Sequence, residues 1–125
     1  MKCPKCNANM DHALFDGVVI DRCSGCKGLW FDCGELERLS AVVDSEMLDL
    51  GLPSIGHAFD SLHQVACPRC GDASLQTIRE RGHTAINIDR CPHCLGNFLD
   101  AGEFTAYKQH GVWQRLQSFY APILS

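Results

Sequence analysis

The sequence predicts a small α+β protein made of two tandem copies of one unit. Each copy should run knuckle, β-hairpin, knuckle, short strand, helix. Cysteine content is the first sign: nine of 125 residues, about 7%, several times the ordinary share. Spacing is the second. Cys3-Pro4-Lys5-Cys6 and Cys23-Ser24-Gly25-Cys26 are two CxxC pairs with 16 residues between them. Cys67-Pro68-Arg69-Cys70 and Cys91-Pro92-His93-Cys94 are two more, with 20 between. Third, Ile20 to Glu35 aligns without a gap on Ile88 to Glu103, with nine identities in sixteen positions.

The elements follow in order. In the first copy, His12–Phe15 and Val18–Ile20 flank Asp16-Gly17, a strong signal for a two-residue hairpin turn. In the second, the arms run about Leu75–Glu80 and Thr84–Asp89 around Gly82. The four extra residues there are an even number, so side-chain alternation survives a longer hairpin. Leu29-Trp30-Phe31 and Asn97-Phe98-Leu99 can each add a short third strand. Asp32-Cys33-Gly34-Glu35 and Asp100-Ala101-Gly102-Glu103 resemble capping boxes, with Asp as N-cap and Glu three residues later. The first helix is expected to bury Leu36, Leu39, Val43, Met47 and Leu50 on one stripe and stop at Gly51. The second starts at Phe104 and Tyr107 and breaks near Gly111. The organisation expected is therefore residues 1–50, a linker at 51–66, a second unit at 67–110 and a helical tail at 111–125.

Two CxxC knuckles on either side of a hairpin place four thiolates at the corners of a tetrahedron. Zn²⁺ accepts that arrangement, having no d-electron geometric preference and favouring sulfur. Proline in the second knuckle position (Pro4, Pro68, Pro92) pre-sets the turn that aims backbone N–H groups at sulfur, and Gly71 and Gly96 permit the tight backbone beyond it. A unit of about 45 residues rarely stabilises itself on its core alone. A structural zinc contributes roughly 10–16 kcal/mol at neutral pH, more than a typical small domain's whole stability. Four protein ligands leave no open position, which disfavours catalytic zinc. Dithiol exchange and a rubredoxin-like iron site are the alternatives.

The run Cys23-Ser-Gly-Cys-Lys-Gly-Leu-Trp-Phe-Asp-Cys-Gly-Glu-Leu36 resembles the transcription-factor-IIB-type zinc-ribbon family of small, mostly bacterial proteins. That family's pattern is CPxC, a hairpin, CxxCxGxW, then Asp-x-Gly-Glu-Leu. Cys91 to Phe104 resembles it too, with Phe98 for Trp and Phe104 for Leu. The resemblance implies two tandem zinc ribbons and two Zn²⁺ per chain. Cys3, Cys6, Cys23 and Cys26 would hold one ion, and Cys67, Cys70, Cys91 and Cys94 the other. It does not by itself make the chain a regulator of transcription.

Other candidates are weaker. Cys33, the ninth cysteine, has Ala101 as its counterpart, so a packing role is expected, with a reactive thiol as the alternative. Trp30 and Phe98 are expected in a small core over the metal sites. His93 lies inside a knuckle and cannot easily reach its own metal, and His12, His57, His63, His83 and His110 show no tight ligand spacing. No nucleophile set and no phosphate-binding loop is recognisable, so the sequence offers no argument for an enzyme. It has no aliphatic run long enough for a membrane span and no recognisable export signal, which suits the reducing cytoplasm.

The charge excludes little but weighs on one class. The formal net charge is −4, and each four-thiolate zinc centre adds −2, bringing the loaded chain to about −8. Phosphate binding needs a basic stripe. The best local one is Arg79, Arg81 and Arg90 on the second hairpin, diluted by Glu80 and Asp89. A protein partner, reached through the apolar residues of 112–120, fits better, in an interaction or adaptor role with a link to transcription. Direct nucleic-acid binding and thiol-redox or zinc handling are the other readings.

Overall fold

The computed structural model describes residues 1–52, 54–55, 65–80 and 86–109. Its strands are β1 (Met10–Phe15), β2 (Val18–Cys23), β3 (Leu29–Phe31), β4 (Gln76–Glu80), β5 (Ile86–Arg90) and β6 (Asn97–Leu99). They form one six-stranded sheet in the order β1-β2-β3-β6-β5-β4, with every neighbouring pair antiparallel. Each copy therefore contributes three strands, and the copies are joined edge to edge through their short third strands.

The first hairpin closes through Asp16 (φ 51°) and Gly17 (φ 77°). Two successive left-handed residues match the twist of the flanking strands, which is why Asp-Gly was legible there. The longer second hairpin keeps the same alternation, as its even insertion requires. Ala13 lies opposite Ile20 and Ile78 opposite Ile88, and the equivalent residues Ile20 and Ile88 are both 1% exposed. The loop at 81–85, with Gly82, lies outside the described residues.

At the sheet's centre Trp30 pairs with Phe98, its own counterpart in the repeat, flanked by Leu29 opposite Leu99 and Phe31 opposite Asn97. A pseudo-twofold axis thus passes through the Trp30–Phe98 pair. Strand alternation then sorts the core onto two faces. Val18, Ile20, Leu29, Phe31, Ile86, Ile88 and Leu99 point to one face, where Leu36, Leu39, Leu48 and Phe104 cover them. Trp30 and Phe98 point to the other, among the knuckle cysteines with Met10, Ala73 and Leu75. Among the described residues, no helix is long and apolar enough to cross a membrane.

The covering layer departs from the expected single helix. The first helix, α1, spans only Glu35–Ser40, and a 3-10 turn follows at Ser45–Leu48. Leu36, Leu39 and Leu48 are buried, whereas Val43, Met47 and Leu50 are 80%, 67% and 59% exposed. The stripe fails because Asp44 adopts a left-handed conformation (φ 67°) and the Ser45 hydroxyl donates to the Leu39 carbonyl at 2.6 Å. A serine that satisfies the carbonyl of a helix end competes with continuation of the helix.

Breaking the helix lets the chain turn back onto the second copy. There, residues 103–109 are helical (α2). Asp49 accepts the backbone N–H of Gly102 (2.9 Å) and of Thr105 (3.1 Å) and the Thr105 hydroxyl (2.9 Å), capping α2 from the other half of the chain. Lys108 reaches back to the Val42 carbonyl at 2.9 Å and to the Glu46 carboxylate. Phe31 and Phe104 stack across the junction, their centroids 5.1 Å apart. The proposed break near Gly111 and the tail at 111–125 lie outside the described residues, as does most of the linker, residues 53 and 56–64.

Candidate metal centres

Each site is built from two knuckles, and all four knuckles end the same way. The residue just after the second cysteine is left-handed: Asn7 (φ 64°), Lys27 (φ 66°), Gly71 (φ 80°) and Leu95 (φ 61°). Gly71 fulfils the expected conformational role, but Gly96 does not, because the positive φ falls one residue earlier on Leu95. Two of the four are long side chains in a region that favours glycine. The turn brings N–H groups onto sulfur, with Lys5 and Cys6 addressing Cys3 at 3.4 and 3.5 Å. Gly25 addresses Cys23 at 3.3 Å, Cys70 addresses Cys67 at 3.3 Å, and Cys94 addresses Cys91 at 3.5 Å.

The thiols converge in two groups, Cys3, Cys6, Cys23, Cys26 and Cys67, Cys70, Cys91, Cys94, each with all sulfurs within 4.8 Å of one another. A tetrahedron with Zn–S bonds of about 2.3 Å needs sulfurs about 3.8 Å apart. Observed separations are 3.8 Å for Cys3–Cys26, 3.7 Å for Cys67–Cys94 and 3.8 Å for Cys70–Cys91, with Cys6–Cys23 closer at 3.2 Å. The donor set and its dimensions fit Zn²⁺. The hydrogen bond from Cys26 holds the Cys3 thiol down to about 5 against the effect of burial, with the Cys6 and Lys5 N–H groups helping. Burial pushes Cys91 up, but the Cys94 and His93 N–H groups and Cys67 prevail and bring it to about 7. Burial together with its thiol neighbours pushes Cys70 up to about 12. Cys23 and Cys67 also receive N–H donors, but burial outweighs them and pushes both thiols up, so the lowered sulfur in each group is Cys3 or Cys91.

The knuckle glycines that the copies share, Gly28 and Gly96, serve the junction between them. A Cβ on Gly96 would stand 2.3 Å from the Trp30 ring, and one on Gly28 would stand 2.3 Å from the Phe98 ring. Each central aromatic therefore lies against the knuckle of the opposite copy. The Gly28 carbonyl accepts the Cys23 N–H at 2.8 Å and the Gly96 carbonyl accepts the Cys91 N–H at 3.0 Å, so the sealed loop is one that positions a sulfur.

The same exchange is repeated in charge. Lys5, between Cys3 and Cys6, pairs with Asp89 at 2.9 Å and Asp100 at 2.6 Å, both in the second copy. It also lies 5.8 Å from the centre of the Phe98 ring. Arg69, between Cys67 and Cys70, pairs with Asp21 and Asp32 in the first copy, at 3.0 Å each. Asp21 and Asp32 are the repeat counterparts of Asp89 and Asp100. The capping-box expectation is corrected accordingly. The residue capping α1 is Gly34, in a left-handed conformation and with no side-chain cap bond. The Asp32 carboxylate instead receives the Trp30 indole N–H and Arg69. Glu35 keeps half of the box by accepting the Asp32 N–H at 2.9 Å, while Glu103 accepts the Asn87 N–H at 3.1 Å.

Neither Cys33 nor a described histidine adds a ligand atom to either sulfur group. Cys33 is exposed whereas Ala101 is buried at 3%, which overturns the packing role for Cys33. The chain at Gly51, whose added Cβ would stand 2.4 Å from that of Ala101, covers the second position only. His12 and His93 are exposed, and the other four histidines lie outside the described residues. On the second hairpin Arg79 bonds Asn87 at 3.1 Å and Arg90 bonds Asn97 at 2.8 Å.

A comparison with family models matches residues 2–42 and 66–110 to the transcription factor zinc-finger family, the transcription-factor-IIB-type zinc ribbon. The chain belongs to this family. It is a tandem zinc-ribbon protein that binds two Zn²⁺, one in each four-cysteine site. No curated protein and no solved structure matches it at a significant level. Zinc ribbons are in general structural and not enzymatic domains, in keeping with two fully ligated sites.

Proposed function

We propose that this tandem ribbon is a protein-interaction or adaptor module linked to transcription, working in the cytoplasm, with both zinc ions structural. The observation that carries the reading is the surface of the segment following α1. Val43, Met47, Leu50 and Leu52 are exposed there, at 80%, 67%, 59% and 62%. They sit in a stretch, 41–66, that holds four acidic residues and no basic one. Exposed apolar side chains in a stretch without a basic residue suit a protein segment that is apolar on one face and basic around it. The link to transcription rests on the family's description. The docking helix expected at 112–120 lies outside the described residues and is part of the same proposal.

Direct nucleic-acid binding is the less favoured reading, because Arg90 is engaged by Asn97 and lies 4.0 Å from Glu37. The test compares the full chain with Met47→Glu/Leu50→Glu and with a chain lacking residues 111–125, using captured partners identified by cross-linking mass spectrometry. Cross-links from a basic partner segment to 43–52, lost in the double variant, support the reading. A salt-dependent oligonucleotide shift, abolished by Arg79→Gln/Arg81→Gln/Arg90→Gln, would overturn it.

A further inference from the structure

Two ionic ties and two aromatic contacts across the pseudo-twofold axis end at knuckles. Lys5 and Arg69 are the third residues of the two N-terminal knuckles, flanked directly by Cys6 and Cys70. Their partners Asp89 and Asp21 stand two residues before Cys91 and Cys23, on the strands that deliver those ligands to the opposite site. The Trp30 and Phe98 rings press on the glycines whose carbonyls hold the N–H groups of Cys91 and Cys23. A knuckle has no fixed conformation without the metal ion it closes upon, so an ordered knuckle in one ribbon supports the contacts that order a knuckle in the other.

We propose that the two zinc sites are thermodynamically coupled, occupancy of each raising the zinc affinity of the other through these reciprocal ties. The coupling is mutual by linkage: whatever the first site does for the second, the second does for the first. It goes beyond the partner-binding proposal and does not depend on it. In a chain with two independent ribbons on a linker, partially loaded molecules accumulate. Here the intermediate is penalised, because a single ion orders one end of each of these knuckle ties and leaves the other end without its support. Loading and loss of zinc then approach an all-or-none event for the whole sheet.

The experiment is a competitive zinc titration of the full chain against a chelator of known affinity, with bound-zinc species counted by native mass spectrometry. Cys70→Ser/Cys94→Ser and Cys6→Ser/Cys26→Ser supply the affinity of each site alone. The overall two-zinc constant of the unaltered chain should exceed the product of the two single-site constants by about tenfold or more, within the usual range of coupling. A ratio near one overturns the proposal, whatever the intrinsic difference between the sites. Arg69→Gln should bring the ratio down several-fold, and Arg79→Gln, which touches only the second hairpin, should leave it unchanged. If Arg69→Gln leaves the ratio intact while the sites remain filled, the assignment of the coupling to these ties fails.

Discussion

The two ribbons share the glycines and aspartates that meet at their junction and differ in the cations that reach them and in the layer laid over them. Both have Gly at the knuckle, Asp before the second cysteine pair and Asp after the third strand. Each of those residues receives an aromatic ring or a cation from the opposite copy. The differences lie in the cations and in the covering layer. Lys5 is buried, its side chain 3% exposed, whereas the Arg69 side chain is 44% exposed. Ala101 is covered by Gly51 while Cys33 faces solvent. Asp49 caps α2 from outside, while α1 has no side-chain cap bond. Identity within the repeat therefore marks the glycines and acids that receive the opposite copy, and divergence marks the cations and the asymmetric layers around them.

Removing zinc should break the comparison outright. Each site supplies stabilisation on the order of 10–16 kcal/mol, and both ribbons share one sheet. Chelation should therefore abolish the near-ultraviolet signals of both Trp30 and the second ribbon in a single step. Two separated transitions would mean that the ribbons stand independently.

The two cations should then be unequal. Lys5→Met leaves two carboxylates in place with their buried cation gone, at a cost of about 3–5 kcal/mol. Arg69→Met, at a half-exposed position, should cost about 1 kcal/mol. Denaturant midpoints of the zinc-loaded variants measure both. Burial works against the Lys5 ammonium, but Asp100 and Asp89 outweigh it and hold its pKa above the ordinary 10.5. A base raised on folding stabilises fully below its ordinary value and loses that contribution as pH rises through the folded value. The Lys5→Met deficit should therefore be level across neutral pH and shrink only in strong alkali.

Much of this was legible in the residues. The hairpins, the third strands and the eight converging cysteines follow from turn chemistry, period-2 alternation and CxxC spacing, which are local signals. The junction is not local. Yet its signature was present: a basic residue in the third position of both N-terminal knuckles, and acids at equivalent places twice over. Read within one ribbon, Asp32 and Glu35 look like a capping box, and only the opposite ribbon reveals the Arg69 that takes the Asp32 side chain. The α1 stripe misled for a related reason. A helical spacing of apolar residues does not say that Ser45 will satisfy the Leu39 carbonyl, or that Asp49 is needed at α2.

The glycines test the symmetry at finer scale. Gly28→Ala and Gly96→Ala each force a methyl into an aromatic ring and should cost about 1–3 kcal/mol, as overpacking does. If the crossed packing is the cause, shortening the opposite ring rescues the loss. Phe98→Leu should restore most of the stability of Gly28→Ala and none of that of Gly96→Ala. Equal rescue of both would place the strain within each knuckle and not across the axis.

The smallest effect belongs to the pair that the covering segment separates. Cys33 is exposed and contributes no sulfur to either group, so Cys33→Ser should change stability by less than about 0.5 kcal/mol. Its counterpart has no such freedom, because Ala101 is buried and the chain at Gly51 closes over it. An alkylating reagent should accordingly modify one thiol quickly in the zinc-loaded chain, with both zinc ions retained. Loss of zinc at the same rate as that first modification would show that a ligand sulfur, and not Cys33, is the accessible one. Position 33 would then be closed as position 101 is, and the asymmetry between exposed Cys33 and buried Ala101 would not hold in solution.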